Sequence, residues 1–390
     1  MQAAQSSLIE NPALELLLLC ARRQIGANTS KRILAIASGQ PDWNALLAAA
    51  SEHTLTSLVC KNLQDCAPAA LPAPWRERFS RSYFECSCRN LALTAELFRV
   101  LAALESRGVA ATPYKGPVLA AQAYGDVALR EFSDLDIILP QRQIVAAHEA
   151  LLDLGFSPEI AAIEPSPSPR RTPGQYAYRK GAGTLVELHT EHTLRYFPAA
   201  LDLQALCARR RPIALAGRQV LTFSAEDTLL LLSVHGSKHL WDRLSWIADI
   251  AVLTARSQLD WPLVLERARS WRVQRMLLLG LGLAVRFFDA APPDEVTNCL
   301  RRDRVARRMI EKISRRFFSP EKIQVGVLSR FAFRVRMRGP FTQGLPYAIR
   351  LALVPTEHDR AKRRLPEPLY ALLRPLRLAR TYGWRTRVGP

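Results

Sequence analysis

Residues 130–139 read REFSDLDIIL, and the fold turns on how this stretch is understood. Asp134 and Asp136 stand two apart, and an apolar run follows directly, stopped by Pro140. Residues i and i+2 of a strand share a face, so LDIIL at 135–139 predicts a strand with both carboxylates on one side. Leu135 and Ile137 then point into packing on the other. Two neighbouring carboxylates raise each other's proton affinity, which disfavours the arrangement without a cation. A divalent metal resolves the conflict, and magnesium prefers a few carboxylates together with substrate phosphates. An isolated DxD also occurs as a solvated strand edge, so its neighbours decide.

Upstream, VAATPYKG at 109–116 predicts a short strand turning at Gly116, and PVLAAQAY at 117–124 a helix with proline in its first turn. A strand-to-helix turn containing glycine lets backbone amides approach phosphate. Downstream, QIVAAHEALLDLG at 143–155 predicts a helix, EPSPSPRRTPG at 164–174 a loop, and QYAYRK and TLVELHTE two strands. Glu187, inside the apolar frame TLVELH, is a third carboxylate for the same face. Three carboxylates beside a phosphate-binding turn suit phosphoryl or nucleotidyl transfer. Lys115 and Arg130 enter the same place and are candidate phosphate contacts. Ser133 is either a phosphate donor or a local turn cap.

Around this centre, apolar residues at helical spacing predict helices at 16–23, 47–63 and 91–108, with a break at PAALPAP (68–74). Further helices are predicted over 224–255, 261–289 and 300–317. Ser224 and Asp227 begin the first of these in the manner of a capping box. The division expected is a helical region over 1–108, an α/β core over 109–220, a helical region over 221–318 and a tail over 319–390.

The formal charge is +19, but residues 301–390 hold 23 Lys or Arg against 6 Asp or Glu, while residues 1–300 hold 31 against 29. Basicity therefore belongs to the last quarter and suits nucleic acid or anionic lipid there without defining the substrate. LPEPLYALLRPLRLARTYGWRTR at 365–387 has the composition of basic amphipathic helices. Seven cysteines, irregularly spaced and without CxxC, favour reduced thiols and cytoplasmic residence, with peripheral membrane contact through the tail as an extension. MLLLGLGLAV at 276–285 is too short to span a bilayer, so no transmembrane segment is expected. His189, His192, His235 and His239 raise zinc as an alternative, without an HExxH motif to support it.

Taken together, YKGPVLAAQAYGDVALREFSDLDIILP, VELHTE and HGSKHLWDRLSWIADI resemble the uncharacterised nucleotidyltransferase family of the DNA polymerase β-type superfamily, over roughly residues 90–300. The resemblance implies a small mixed sheet with helices, embedded between helical regions. It implies transfer of a nucleoside monophosphate from a nucleoside triphosphate such as ATP to an acceptor, releasing pyrophosphate. Two Mg²⁺ ions, or Mn²⁺, would be held by Asp134, Asp136 and Glu187, with Gly116 at the triphosphate. The turn departs from the superfamily's pattern by reading KGP where glycine is usually followed by Gly or Ser, and the interval to Asp134 is longer. The alternatives are an inactive binding or scaffold protein of the same fold, and a nucleic-acid-directed enzyme using the basic tail. Asp249 with Arg243 is expected as a supporting ion pair, and Trp241 and Trp246 as packing residues.

Overall fold

The computed structural model describes residues 11–160, 165, 174–181, 183–191, 201–318 and 326–338. The chain begins with helices α1 (Pro12–Cys20), α2 (Ala27–Ser38), α3 (Trp43–Glu52), α4 (Thr56–Cys66) and the long α5 (Ala73–Ser106). The continuous helix expected over 47–63 is two helices, because Thr54 takes a left-handed φ of 52° and turns the chain between them.

A five-stranded sheet follows, assembled from β1 (Thr112–Pro113), β2 (Asp134–Ile138), β3 (Ser157–Pro158), β4 (Gln175–Arg179) and β5 (Leu185–His189) in the order β1-β2-β5-β4-β3. Only β2 and β5 run parallel; the other pairs are antiparallel. Between β1 and β2 lie the short α6 (Gly116–Leu119), a π turn over Ala120–Tyr124 and a 3-10 turn over Val127–Leu129. The helix α7 (Ile144–Asp153) follows β2. The sheet's two faces obey the period of two. Leu135, Ile137, Tyr176, Tyr178, Val186 and Leu188 are buried in one apolar cluster with Leu97, Val100 and Leu104 of α5 and Ala147 and Leu151 of α7. The opposite face carries Asp134, Asp136, Glu187 and His189.

After α8 (Leu203–Ala208), the hairpin β6 (Arg211–Leu215) and β7 (Arg218–Thr222) forms a separate two-stranded sheet. Its two-residue turn puts Ala216 at φ 45° and Gly217 at φ 79°, the left-handed pair a tight hairpin demands. The rest is helical: α9 (Ala225–Lys238), α10 (Leu244–Arg256), α11 (Trp261–Ser270), α12 (Gln274–Phe288), α13 (Asp294–Arg302), α14 (Arg304–Phe318) and α15 (Val327–Met337). Ser224 Oγ accepts from the Asp227 amide at 3.3 Å and caps α9.

The helix expected over 224–255 is broken at 239–243, and packing gives the reason. Leu240 and Trp241 adopt left-handed φ of 59° and 55°, which folds the Trp241 ring back into the core. Gly236 and Gly280 make room for it: a Cβ on either would stand within 2.8 Å of the indole. The segments 261–289 and 300–317 likewise each hold a break, between α11 and α12 and between α13 and α14.

A second apolar cluster joins the two ends of the described chain. Leu16, Leu46, Val59 and Phe79 share it with Leu230, Ile247, Leu277 and Phe287. Polar contacts cross the same boundary: Arg22 pairs with Asp289 at 2.9 Å, and the Thr54 and Ser245 hydroxyls lie 2.6 Å apart. A small mixed sheet is thus flanked by helices that precede and follow it in sequence. The segment 365–387, expected as basic amphipathic helices, lies outside the described residues, as does most of the loop 164–174.

Candidate functional site

The parallel register of β2 and β5 pairs Asp136 with Glu187 and Ile138 with His189. Because i and i+2 share a face, Asp134, Asp136, Glu187 and His189 all project from the same side of the sheet. Asp136 is almost completely buried, with its side chain 2% exposed. Its Oδ1 accepts from Lys115 Nζ at 2.9 Å and lies 2.9 Å from His189 Nε2. The same His189 nitrogen lies 3.4 Å from Glu187 Oε2, which also accepts from Gln175 Nε2 at 2.6 Å. Ligand atoms of Asp136, Glu187 and His189 all fall within 4.8 Å of one another, the one such group among the described residues.

Gly116 fixes the turn that delivers Lys115. Its φ of 52° favours glycine, and an added Cβ would press within 3.2 Å of the Asp134 carbonyl oxygen. The backbone of the turn therefore sits directly against the first residue of β2. Lys115 crosses over the Tyr114 ring, 4.9 Å from its centroid, and Tyr114 meets His189 edge-on at 5.7 Å. Pro117 follows, so position 117 offers no amide hydrogen.

The charges are unevenly matched. Burial pushes the Asp134 carboxyl up to about 6, and neighbouring Asp136 pushes it in the same direction. Burial also raises Asp136, but Lys115 and hydrogen-bonded His189 outweigh it and hold that carboxyl well below its ordinary range. Burial alone would lower His189, yet its hydrogen bonds to Asp136 and Glu187 leave it raised. Among these groups, three carboxylates face one lysine and one histidine. Such a concentration of oxygen donors with one imidazole fits a divalent cation, and Asp136, Glu187 and His189 are the residues placed to hold it. Lys115 occupies part of that electrostatic role in this structure.

The remaining residues singled out from the sequence take different positions. Asp134 begins β2, half-buried, and stands outside the convergent trio. Ser133 is exposed. Arg130 is bound to Asp249 by two hydrogen bonds, Nε to Oδ1 at 2.9 Å and Nη2 to Oδ2 at 3.0 Å. The Tyr124 hydroxyl donates to Asp249 Oδ1 at 2.8 Å. The expected Asp249–Arg243 pair is therefore replaced by Asp249–Arg130, while Arg243 lies over the Trp246 ring at 5.8 Å. Arg130 starts a loop whose carbonyl is held by Asn90, so the pair ties the entry to β2 onto α10.

Among the described residues, the histidines do not gather as a zinc site. The His235 and His239 rings meet at a tilt, 4.7 Å between centroids, and both meet Trp246, while His189 turns to the carboxylates. His192 lies outside the described residues. Burial lowers His235 well below its ordinary value and His239 to about 3. Burial, aided by Lys115, brings Lys238 down to about 8, and Glu187 and Asp136 partly offset this. The C-terminal end of α9 is thus within electrostatic reach of the acidic trio.

The sequence raised His189 among possible zinc ligands, not as a ligand alongside Asp136 and Glu187. The signal was available: Glu187 and His189 are two apart on a strand and must share its face. Gln175 lay on a strand of unknown pairing partner and carried no such signal.

A sheet of this order with acids clustered beside a glycine turn defines a nucleotidyltransferase-like core. Residues 39–289 match a family model described as an uncharacterised nucleotidyltransferase, and the chain belongs to that family. Solved structures with some likeness include the antibiotic-resistance factor ANT(2'')-Ia, at 14% identity and a TM-score of 0.34, covering 46% of this chain and 93% of that one. Another is an antigenic nucleotidyltransferase-like protein from Paracoccidioides brasiliensis, at 18% identity and a TM-score of 0.33, covering 53% and 91%. No curated protein matches. Among the described residues, no helix is long and apolar enough to cross a membrane.

Proposed function

We propose that the protein is a metal-dependent nucleotidyltransferase that moves a nucleoside monophosphate from a nucleoside triphosphate to an acceptor hydroxyl or phosphate. The observation that carries this reading is the convergence of Asp136, Glu187 and His189 beside the Gly116 turn, with Asp134 two residues away on the same face. Magnesium or manganese bound there would neutralise charge on the phosphates and polarise the attacked phosphorus. Asp136, Glu187 and His189 would hold the cation, with Asp134 beside them on the same face of β2. Glu187 orients the attacking group and accepts its proton, and Gln175 fixes the Glu187 carboxylate for that task. Lys115, which neutralises Asp136 in the metal-free site, would be displaced from it by a bound cation and be free to meet the triphosphate as a mobile positive charge. The Gly116 backbone, free of any Cβ, lets phosphate approach the turn. Arg130 acts through Asp249, holding the β2 entry in place, until substrate competes for its guanidinium.

Calorimetry with ATP, GTP, CTP and UTP in the presence of Mg²⁺ tests the proposal. Metal-dependent binding by the natural chain, lost in the Asp134→Asn/Asp136→Asn variant, is the expected result. Absence of metal-dependent binding for all four triphosphates overturns it.

A second reading is favoured by two observations: the Lys115 ammonium already compensates Asp136 at 2.9 Å, and Pro117 removes an amide from the turn. On that reading the fold serves as a binding module without catalysis. Triphosphate binding of equal strength in EDTA and in Mg²⁺, with no pyrophosphate released, is the outcome that selects it.

A further inference from the structure

Away from the acidic trio, the C-terminal helices form an open concavity of about 670 Å³. Six arginines line it: Arg269 from α11, Arg272 and Arg275 around the start of α12, Arg302 ending α13, Arg304 opening α14 and Arg338 following α15. One carboxylate, Asp303, stands among them. That carboxylate is already committed. Its Oδ2 accepts from Arg275 Nε at 2.8 Å, and its Oδ1 accepts from the amides of Val305 and Ala306 at 3.0 Å each. Among the described residues, Arg269, Arg272, Arg302 and Arg304 form no ion pair.

Scattered surface arginines are ordinarily just solvated charge. Here their convergence is built by separate helices whose packing brings like charges to one concavity. Arg272 reaches the concavity from a tight turn. It occupies the turn between α11 and α12 at φ 56°, a left-handed position where glycine or asparagine is the usual choice. Leu278, Val305 and Met337 give the cavity an apolar floor, so it is not uniformly cationic. Its volume falls within the roughly 300–1,000 Å³ typical of small-molecule sites.

We propose that this cavity binds a soluble small molecule carrying two or more phosphate groups. Arg272, Arg302 and Arg304 grip its phosphate oxygens, and the apolar floor takes its uncharged part. Guanidinium groups suit this role because their planar donor fork matches two phosphate oxygens at once. None of the lining residues belongs to the acidic trio, so the site stands independently of the proposed transfer reaction.

The test uses the full chain carrying Asp136→Asn, in EDTA, so that metal-dependent binding at the acidic trio is silent. Calorimetric titration with inorganic pyrophosphate is expected to show saturable binding, about tenfold or more tighter than orthophosphate. Arg272→Ala/Arg302→Ala weakens it by about tenfold or more, whereas Arg78→Ala/Arg81→Ala, on the exposed side of α5, leaves it unchanged. Should the first double variant fail to fold, the exposed single variant Arg304→Gln supplies the same comparison. Non-saturable heats, or equal binding in the cavity variants and the α5 control, overturn the proposal. A vesicle arm separates the sources of phosphate. Binding to phosphatidylcholine vesicles containing phosphatidylinositol bisphosphate that soluble pyrophosphate does not displace would overturn the assignment of a soluble ligand.

Discussion

Two buried aspartates show how similar burial leads to opposite consequences. Asp227 on α9 is completely enclosed, and two guanidinium groups reach it: Arg267 at 2.8 Å, and Arg209 at 3.2 and 3.3 Å. One negative charge is met by two positive ones, and the result ties α8, α9 and α11 together. Asp136 is nearly as enclosed, yet it shares Lys115 and His189 with Glu187 and with nearby Asp134. Burial of an acid therefore does not mark a functional site. The mark is an excess of carboxylate that the protein's own cations leave incompletely balanced.

The comparison breaks if Asp227 proves dispensable for folding. Asp227→Ala leaves two partly buried guanidiniums without a partner and is expected to cost about 3–5 kcal/mol. Urea unfolding measures this, and Mn²⁺ affinity of the folded fraction should be unchanged. The reverse pattern is expected for Asp136→Asn. Triphosphate binding in Mn²⁺ weakens by about a hundredfold, since a ligand is lost outright, while the cation-free fold survives. If the two variants failed in the same way, the distinction between a closed and an open acidic centre would collapse.

A smaller effect sharpens the contrast through pH. The Asp134 carboxyl is raised to about 6 when folded, chiefly by burial and then by Asp136, against an unfolded value near 4. The folded state thus favours the protonated form. This group's penalty on the metal-free protein is full above about pH 6, fades as the pH falls from about 6 to about 4, and is absent below that. Asp134→Asn should accordingly stabilise the protein in EDTA at pH 7.5, by on the order of 1 kcal/mol. The gain over the natural chain should vanish by about pH 4. Thermal melts across that range provide the check, and a destabilised variant at pH 7.5 would count against the assigned electrostatics.

The sheet was legible because its signals are local. Alternation over 134–139 assigns Asp134 and Asp136 to one face and Leu135 and Ile137 to the other, as the buried cluster bears out. The carboxylate of Glu187 within an apolar frame marks it as unusual, although only the parallel register puts it beside Asp136. The hairpin at 211–222 went unread despite a usable signal, the Ala216-Gly217 turn between two short alternating runs. Partners distant in sequence were beyond reach in principle. Arg130 meets Asp249 across 119 positions, and several nearer carboxylates were equally plausible from charge alone. The break in the helix over 224–255 was hidden for a similar reason. Its apolar periodicity continues through Trp241, and one of the two glycines that receive the indole, Gly280, lies on another helix.

The apolar cluster shared by the first and last helices bears on the order in which the chain is made. The inner faces of α1–α4 are complete only after Leu230, Ile247 and Leu277 have been synthesised and have left the ribosome. At roughly 5–20 residues per second, this wait lasts on the order of ten seconds, during which those faces remain uncovered. A nascent chain stalled near residue 220 should therefore bind a hydrophobic dye or a holdase chaperone more strongly than one released after residue 338. The sheet's other cluster, contributed largely by residues 93–220, can close earlier.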